Sequence, residues 1–187
     1  MKNAPYFESI ETSRLWLTTV HEEHHFSTIV GWLNDPEVVL FSDQRHRKHT
    51  IDTYRDYLRR FQGSPHKYWF ILTREAGAII GTVSAYIDLP NAVADVGILI
   101  GDRLYWQGGY GGEAFAGVIG WLFSSQGVRK VNAGAMASNK GMIGVMRKVG
   151  MIEEGRRRRY YLQGDSEVDM ILATVFAEDW PISGGTT

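Results

Sequence analysis

The sequence predicts a mixed α/β (α+β) fold in one domain, with a mostly antiparallel sheet and helices on its faces. Three observations support this class. The 187 residues fit a single domain and can bury a sizeable core. Strand-like and helix-like stretches follow one another along the chain, which favours a sheet covered by helices. Three consecutive strand-like runs are joined by short turns, which indicates an antiparallel meander.

The first third of the chain is predicted to form one strand and two helices. Residues 12–20 alternate apolar and polar side chains, as a half-buried strand does. Apolar residues at helical spacing come next, at Phe26, Ile29, Val30 and Leu33. After a polar loop at 40–49, Thr50 is a suitable N-cap for a second helix, which ends at Gly63-Ser64-Pro65.

The rest of the chain contains the meander, two more helices and a hairpin. In order, we predict strands at 68–73, 78–87 and 93–100, a helix at 113–126, a strand at 130–136, a helix at 139–149, and hairpin strands at 156–162 and 167–174. The total is seven strands. We expect a single domain over residues 1–180 and a disordered tail over 181–187, where small and polar residues predominate.

Composition excludes several classes of function. The formal net charge of −1 argues against broad electrostatic capture of nucleic acid. The absence of cysteine excludes disulfides, thiolate catalysis and zinc–thiolate sites. His46 and His49 lie in a basic loop without a carboxylate cluster, so we expect no metal. The N-terminus has no apolar signal core and no run has transmembrane length, so we expect a cytoplasmic protein without a membrane partner.

A glycine-rich loop at 108–112 separates the strand at 93–100 from the helix at 113–126. Without side chains, the backbone N–H groups of such a loop can approach a ligand closely. They also lie at the positive end of the helix dipole, where phosphate binds well. We therefore expect a phosphate-bearing cofactor at this loop.

Other interpretations of the glycine pattern are weaker. Residues 109–114 match the dinucleotide fingerprint G-x-G-x-x-A, but the strand at 130–136 has no acid for the ribose, so a nicotinamide-dependent oxidoreductase is a weak alternative. A phosphate-binding P-loop is excluded because no Gly-Lys-Ser/Thr follows the glycines. A turn without any ligand needs fewer glycines, since each one weakens the folded state.

Residues 105–114, Tyr-Trp-Gln-Gly-Gly-Tyr-Gly-Gly-Glu-Ala, resemble the acetyl-CoA loop of the GNAT N-acetyltransferase superfamily. They are most similar to the branch that acetylates ribosomal-protein N-termini, amino sugars and small amines. The resemblance extends to Thr12–Leu17, which is similar to the opening strand of that branch, and to Asn139 with the segment 148–155. It implies a GNAT-like seven-stranded sheet with helices on both faces.

The sequence departs from the family pattern in two places. Trp106 stands where the family loop often has Arg or Gln. Met142 and Met146 stand where the family often has Ser or Ala and, four residues later, a tyrosine that acts as an acid. Neither methionine can donate a proton.

The resemblance implies an acetyl-CoA-dependent N-acetyltransferase, in which a primary amine attacks the thioester directly in a ternary complex. The acceptor would be a small-molecule amine or a protein N-terminus, and the protein could form a homodimer. The implied cofactor-binding residues are Gln107, Gly108, Gly109, Tyr110, Gly111 and Gly112 for the pyrophosphate, Ile98, Leu99 and Ile100 for the pantetheine arm and the oxyanion, and Asn139 for the opposite side of the arm.

Two residues are candidates for proton transfer. Asp95 stands where the branch often has Glu and is the candidate base, although a solvated strand-end carboxylate is an equal alternative. Tyr160, or its neighbour Tyr161, is the candidate acid for the thiolate. The missing acid at Met142 and Met146 supports the alternative of a GNAT-fold module that binds acyl-CoA without turnover.

Two charged segments remain. In a strand, Arg156–Arg159 would present two pairs on opposite faces, which favours a solvated edge strand over a nucleic-acid surface. The resemblance implies that the segment 42–46 contributes to the acceptor pocket. Asp43 and Asp95 would then attract a protonated amine.

Overall fold

Eight strands and four α-helices form the part of the chain that the computed structural model describes, residues 8–180. The strands are β1 (Ser9–Glu11), β2 (Leu15–Thr18), β3 (Lys67–Thr73), β4 (Ile79–Asp88), β5 (Val93–Ile100), β6 (Lys130–Met136), β7 (Ile152–Gln163) and β8 (Ser166–Phe176). The helices are α1 (Phe26–Leu33), α2 (Ile51–Arg59), α3 (Tyr110–Gln126) and α4 (Lys140–Lys148). The predicted tail at 181–187 lies outside the described residues.

All eight strands belong to one sheet, in the order β1-β2-β3-β4-β5-β6-β8-β7. Every neighbouring pair is antiparallel except β5 and β6, which run parallel and are connected by α3. The predicted class and the antiparallel meander are therefore confirmed. The predicted count of seven strands is wrong by one, because β1 is an additional edge strand of three residues, too short to show a periodicity.

Helices cover both faces of the sheet, as predicted, because β3 sends alternate side chains to opposite sides. Trp69 and Ile71 join the larger core, which α3 and α4 cover. Tyr68 and Phe70 join the smaller core, which α1 and α2 cover.

The helix starts differ in how they are capped. Thr50 accepts a hydrogen bond from the Thr53 N–H and completes a capping box at α2. At α4, the Asn139 side chain accepts from the Met142 N–H at 3.0 Å. α3 has no side-chain cap from residues 8–180 and begins after Gly109, whose φ of +80° lies in the left-handed region. Among the described helices, none is long and apolar enough to span a bilayer.

The hairpin of β7 and β8 contains an irregularity that the sequence did not predict. Arg157 pairs with Met170 and Tyr161 with Val168, so β7 carries two extra residues over that stretch. Arg159 has a φ of +51°, and its N–H donates to the Asp169 carboxylate at 2.8 Å. The strict alternation predicted for the four arginines is therefore wrong, although β7 does lie at the edge of the sheet.

Candidate active site

Strands β5 and β6 separate halfway along β5. They are paired at Val93, Ala94 and Asp95, and the pairing ends where Asp95 lies opposite Asn132. β5 continues to Ile100 with β4 as its neighbour on the other side. A gap therefore opens in the middle of the sheet beside the second half of β5.

The backbone groups that face this gap follow from the alternation of hydrogen bonds along a strand. The Ala92 carbonyl accepts from the N–H of Arg129, immediately before β6, whereas the Gly101 N–H donates to the carbonyl of Ile80 in β4. Even-numbered residues of β5 therefore point their backbone groups toward the gap. Ile98 and Ile100 belong to this set, and the backbone of Leu99 pairs with β4 instead.

The glycine loop lies at the open end of the gap. A Cβ on Gly111 would lie 3.5 Å from the Ile100 side chain and 3.7 Å from Val145 of α4. The loop is anchored to β5 by Trp106, whose indole N–H donates to the Ile100 carbonyl at 2.8 Å. Gln107 has a left-handed φ of +61°, which helps the chain turn into α3.

The start of α3 presents free backbone donors. The N–H groups in the first turn of a helix have no acceptor within the helix, and no side chain in the described part of the protein caps this one. Tyr110, Gly111 and Gly112 supply these groups. Combined with the helix dipole, they form a site suited to a phosphate group.

A brace between Arg14 and Glu113 holds this loop, and sequence reasoning missed it. Arg14 donates from Nε to Glu113 at 2.6 Å and from Nη1 to the Gly108 carbonyl at 3.0 Å. Its guanidinium also lies 4.0 Å from the centre of the Tyr110 ring. Arg14 was part of the resemblance at 12–17, which was the available signal for it.

The Glu113 carboxylate accepts three further hydrogen bonds from the turn between β1 and β2. The donors are the Thr12 hydroxyl at 2.6 Å, the Ser13 hydroxyl at 3.0 Å and the Arg14 N–H at 2.7 Å. Burial alone would raise the pKa of Glu113, but these bonds outweigh it and hold the pKa below its usual value. The ionised carboxylate therefore ties the β1–β2 turn to α3.

A second cation, Lys148 of α4, also reaches the loop. A Cβ built on Gly112 would lie 3.3 Å from its side chain, and one on Gly109 would lie 3.6 Å from both Lys148 Nζ and Arg14 Nη2. Two cationic side chains therefore flank the free N–H groups of α3, and of these Arg14 is already ion-paired with Glu113. The start of α3 thus offers both hydrogen-bond donors and positive charge, which fits the pyrophosphate of a coenzyme.

Asn139 lies at the start of α4 and is partly buried. Its Oδ1 is used to cap the helix, through the Met142 N–H. Its Nδ2 makes no hydrogen bond with the described residues and can donate to a ligand.

A cleft of about 700 Å³ opens on the α1–α2 face of the sheet beside β4 and β5. Gly97, Ile98 and Leu99 contribute to its lining, so it adjoins the gap. From the segment predicted to touch the acceptor, Ser42 and Gln44 line the cleft.

The two predicted proton-transfer residues lie outside the lining of the cleft. Asp95 is exposed and pairs opposite Tyr86, a lining residue, so both side chains project from the same face. Asp95 makes no side-chain hydrogen bond or ion pair with the rest of the described chain. Tyr160 is 51% exposed. Its ring packs edge-on against that of Tyr161, with 4.9 Å between the ring centres.

Tyr161 precedes the residue of β7 that the segment 42–46 contacts. Arg45 donates to the carbonyl of Leu162 at 3.2 Å, which joins the segment to β7. Burial, helped by the negative charge of Asp43, raises the pKa of Tyr161. Tyr161 therefore stays protonated at neutral pH.

Comparisons with known proteins identify the family to which the chain belongs. A family model described as an acetyltransferase (GNAT) domain matches residues 14–152. The chain is 23% identical over 167 residues to the uncharacterized N-acetyltransferase YoaA of Bacillus subtilis (strain 168), covering 87% of this chain and 93% of YoaA.

Solved structures share the fold. A ribosomal-protein-S5-alanine acetyltransferase from Vibrio fischeri superposes with a TM-score of 0.77 at 23% identity, covering 92% of this chain and 98% of that one. A spermidine N-acetyltransferase from Vibrio cholerae, solved with CoA and spermine, superposes with a TM-score of 0.81 at 14% identity. The match covers 90% of this chain and 98% of that one.

The chain therefore belongs to the GNAT acetyltransferase family. Its enzymatic class is that of an acetyl-CoA-dependent N-acetyltransferase.

Proposed function

We propose that the protein transfers the acetyl group of acetyl-CoA to the primary amine of an acceptor by direct attack in a ternary complex. The observation that carries this proposal is the gap between β5 and β6, whose open end meets the uncapped start of α3. An extended arm can pair with the free edge of β5 while its phosphates meet the helix N-terminus. The cleft on the α1–α2 face gives the acceptor a separate entrance.

The cofactor-binding roles follow from these positions. The loop from Gln107 to Gly112 would hold the pyrophosphate, with Lys148 neutralising part of its charge and the ion-paired Arg14 holding the loop in place. Backbone groups of Ile98 and Ile100 would pair with the arm. Leu99 would contribute through its side chain, since its backbone pairs with β4.

Acetyl-CoA supplies an activated acyl carbon, and the protein lowers the barrier for amine attack. The amine nitrogen forms a bond to the thioester carbon, and the carbonyl oxygen becomes an oxyanion that a free β5 N–H can stabilise. The C–S bond then breaks, and the proton lost by the amine passes to Asp95 directly or through water. Tyr160 or Tyr161 is the candidate donor of the proton that the leaving thiolate takes up.

Initial-rate kinetics test the proposal. Release of the CoA thiol is measured while acetyl-CoA and an amine are varied together, over a panel that includes spermidine, glucosamine and short peptides. A ternary complex predicts double-reciprocal lines that intersect, whereas an acyl-enzyme intermediate predicts parallel lines. The sequence contains no cysteine to form an acyl thioester, which favours the first pattern.

The same experiment separates the proposal from a binding module. A module that holds acyl-CoA without turnover would show an acetyl-CoA-dependent rise in melting temperature but no thiol release with any amine. Thiol release at a steady rate with one amine contradicts the module.

A further inference from the structure

The cleft beside β4 and β5 is positively charged. Three cationic side chains line it: Arg47 and Lys48 from the loop before α2, and Arg60 at the end of α2. Among the described residues that line the cleft there is no aspartate or glutamate. The undescribed terminal segments contain neither residue type. An acceptor in this cleft therefore meets an excess of positive charge.

Charge pairing along residues 43–60 distinguishes these three cations from their neighbours. The three carboxylates of this segment are each in an ion pair with one of its arginines: Asp43 with Arg45, Asp52 with Arg55, and Asp56 with Arg59. The remaining arginines and the lysine of the segment are Arg47, Lys48 and Arg60, which make no ion pair with the described residues. The unpaired cations of the segment are thus the ones that line the cleft.

The floor of the cleft adds hydrogen-bonding groups without negative charge. The phenol oxygens of Tyr57 and Tyr86 lie 2.9 Å apart, and the Tyr54 hydroxyl donates to Tyr68 at 3.3 Å. Burial raises the pKa of both Tyr54 and Tyr57, so these phenols stay neutral at all physiological pH values. His49 Nε2, at the wall, is buried and has no partner among the described groups.

We propose that the acceptor is an amine that also carries an oxyanion, a phosphate or a carboxylate, which the cations of this cleft bind. The inference rests on the proposed acetyl transfer, and it names the chemical class of the acceptor. The amine end of such a molecule is directed to the gap and Asp95, and the anionic end to Arg47, Lys48 and Arg60. Arginine and lysine bind oxyanions through charge-assisted hydrogen bonds.

This charge distribution disfavours a polyamine. The solved structure with a TM-score of 0.81 is a spermidine acetyltransferase, but its fold does not determine the charge of its acceptor site. In the present chain, a polycation would meet three unpaired positive charges. The volume of about 700 Å³ suits an amino-sugar phosphate or the first residues of a peptide.

Binding of matched amines tests the proposal. Dissociation constants are measured calorimetrically on the CoA-saturated enzyme for glucosamine 6-phosphate against glucosamine, and for alanylglutamate amide against alanylglutamine amide, with spermidine as the polycation. We expect the anionic member of at least one pair to bind about tenfold tighter or better. The pair that shows the preference identifies the source of the oxyanion, a phosphorylated amino sugar or an acidic peptide.

Substitutions of the cations show which of them cause the preference for anionic amines. Arg47→Gln and Arg60→Gln should each reduce it several-fold, whereas Arg47→Lys should retain most of it. Arg59→Gln is the matched control, because Arg59 precedes Arg60 in the chain, is ion-paired with Asp56 and does not line the cleft. The melting temperature of each variant verifies that it is folded.

Equal binding within both pairs, tighter binding of spermidine, or a preference that the Arg47 and Arg60 variants leave unchanged would each overturn the proposal. Thiol release measured on the same amines separates this proposal from the proposed function. Selective binding of the anionic amines without turnover would support the charge assignment and contradict acetyl transfer to them. Turnover that is equally efficient with neutral amines would contradict the charge assignment and retain acetyl transfer.

Discussion

Replacing Glu113 by glutamine tests the brace that holds the glycine loop. The carboxylate accepts four hydrogen bonds, three at Oε1 from the β1–β2 turn and one at Oε2 from Arg14 Nε. The glutamine can keep the acceptor at Oε1, but its amide would place a second donor against Arg14 Nε. Because the Glu113 side chain is only 14% exposed, the lost bond is not replaced freely by water.

The expected cost follows from the loss of one charge-assisted hydrogen bond. Such bonds contribute roughly 1.5–3 kcal/mol, and Arg14 is 44% exposed, which favours the lower half, about 2 kcal/mol. For a domain of this size the melting temperature should fall by about 4–8 °C. Acetyl-CoA should also bind more weakly, since Arg14 holds the Gly108 carbonyl at 3.0 Å.

The effect should depend on pH in a defined direction. The folded-state pKa of Glu113 lies below its usual value of 4.5, so its ionised form stabilises the fold. This stabilisation is fully present above pH 4.5 and is lost as the pH falls through the folded-state pKa. The difference in unfolding free energy between wild type and Glu113→Gln should therefore have its full size at pH 7 and should decrease progressively below pH 4.5.

Calorimetric unfolding of both proteins at pH 7 and at about pH 3.5 measures this difference in stability. Glu37→Gln is the matched control, because Glu37 pairs with Arg103 at the surface and is 69% exposed, so its loss should cost less than about 1 kcal/mol. A Glu113→Gln variant as stable as wild type at pH 7 would refute the brace. A stability difference of the same size at both pH values would refute the role of the charge on Glu113.

Three further predictions concern the site. Gly111→Trp should abolish the rise in melting temperature that acetyl-CoA produces, because the indole would fill the space between Ile100 and Val145. Gly31→Trp is the control: Gly31 has open space around it, so this variant should keep the rise in melting temperature. Asn139→Asp should keep the cap of α4, because the carboxylate can still accept from the Met142 N–H. It should weaken acetyl-CoA binding by about 1–3 kcal/mol, because the Nδ2 donor is lost. A variant that binds acetyl-CoA as tightly as the wild type would show that Asn139 does not contact the cofactor. Asp95→Asn should lower kcat/KM more at pH 7 than at pH 9, because free amine is plentiful at high pH; a constant fractional loss across the pH range would exclude Asp95 as the base.

Local patterns in the sequence were sufficient for most elements. The helical spacing of Phe26, Ile29, Val30 and Leu33 predicted α1, and Thr50 was identified as the cap of α2. The short turns between β3, β4 and β5 required antiparallel pairing. These features depend on contacts between residues close in the chain, so a sequence contains the information directly.

The loop of the candidate site was also predictable, because its signal is local. Four glycines at 108–112, followed by a helix, have few structural explanations other than close approach of a ligand to the backbone. The resemblance then extended this assignment to Asn139 and to the strand at 93–100. The roles of Asp95 and Tyr160 stay predictions, since the structure leaves both outside the lining of the cleft.

The sequence by itself determined the class of fold, the order of its elements apart from β1, and the position of the glycine loop. Tertiary structure alone decided that Arg14 meets Glu113, 99 residues further along the chain, and that β5 leaves β6 at Asp95. It also decided which cations of the segment 43–60 remain unpaired beside the cleft. These features arise from contacts between distant residues, and a period or a motif in one segment contains no information about which partner folding will bring to it.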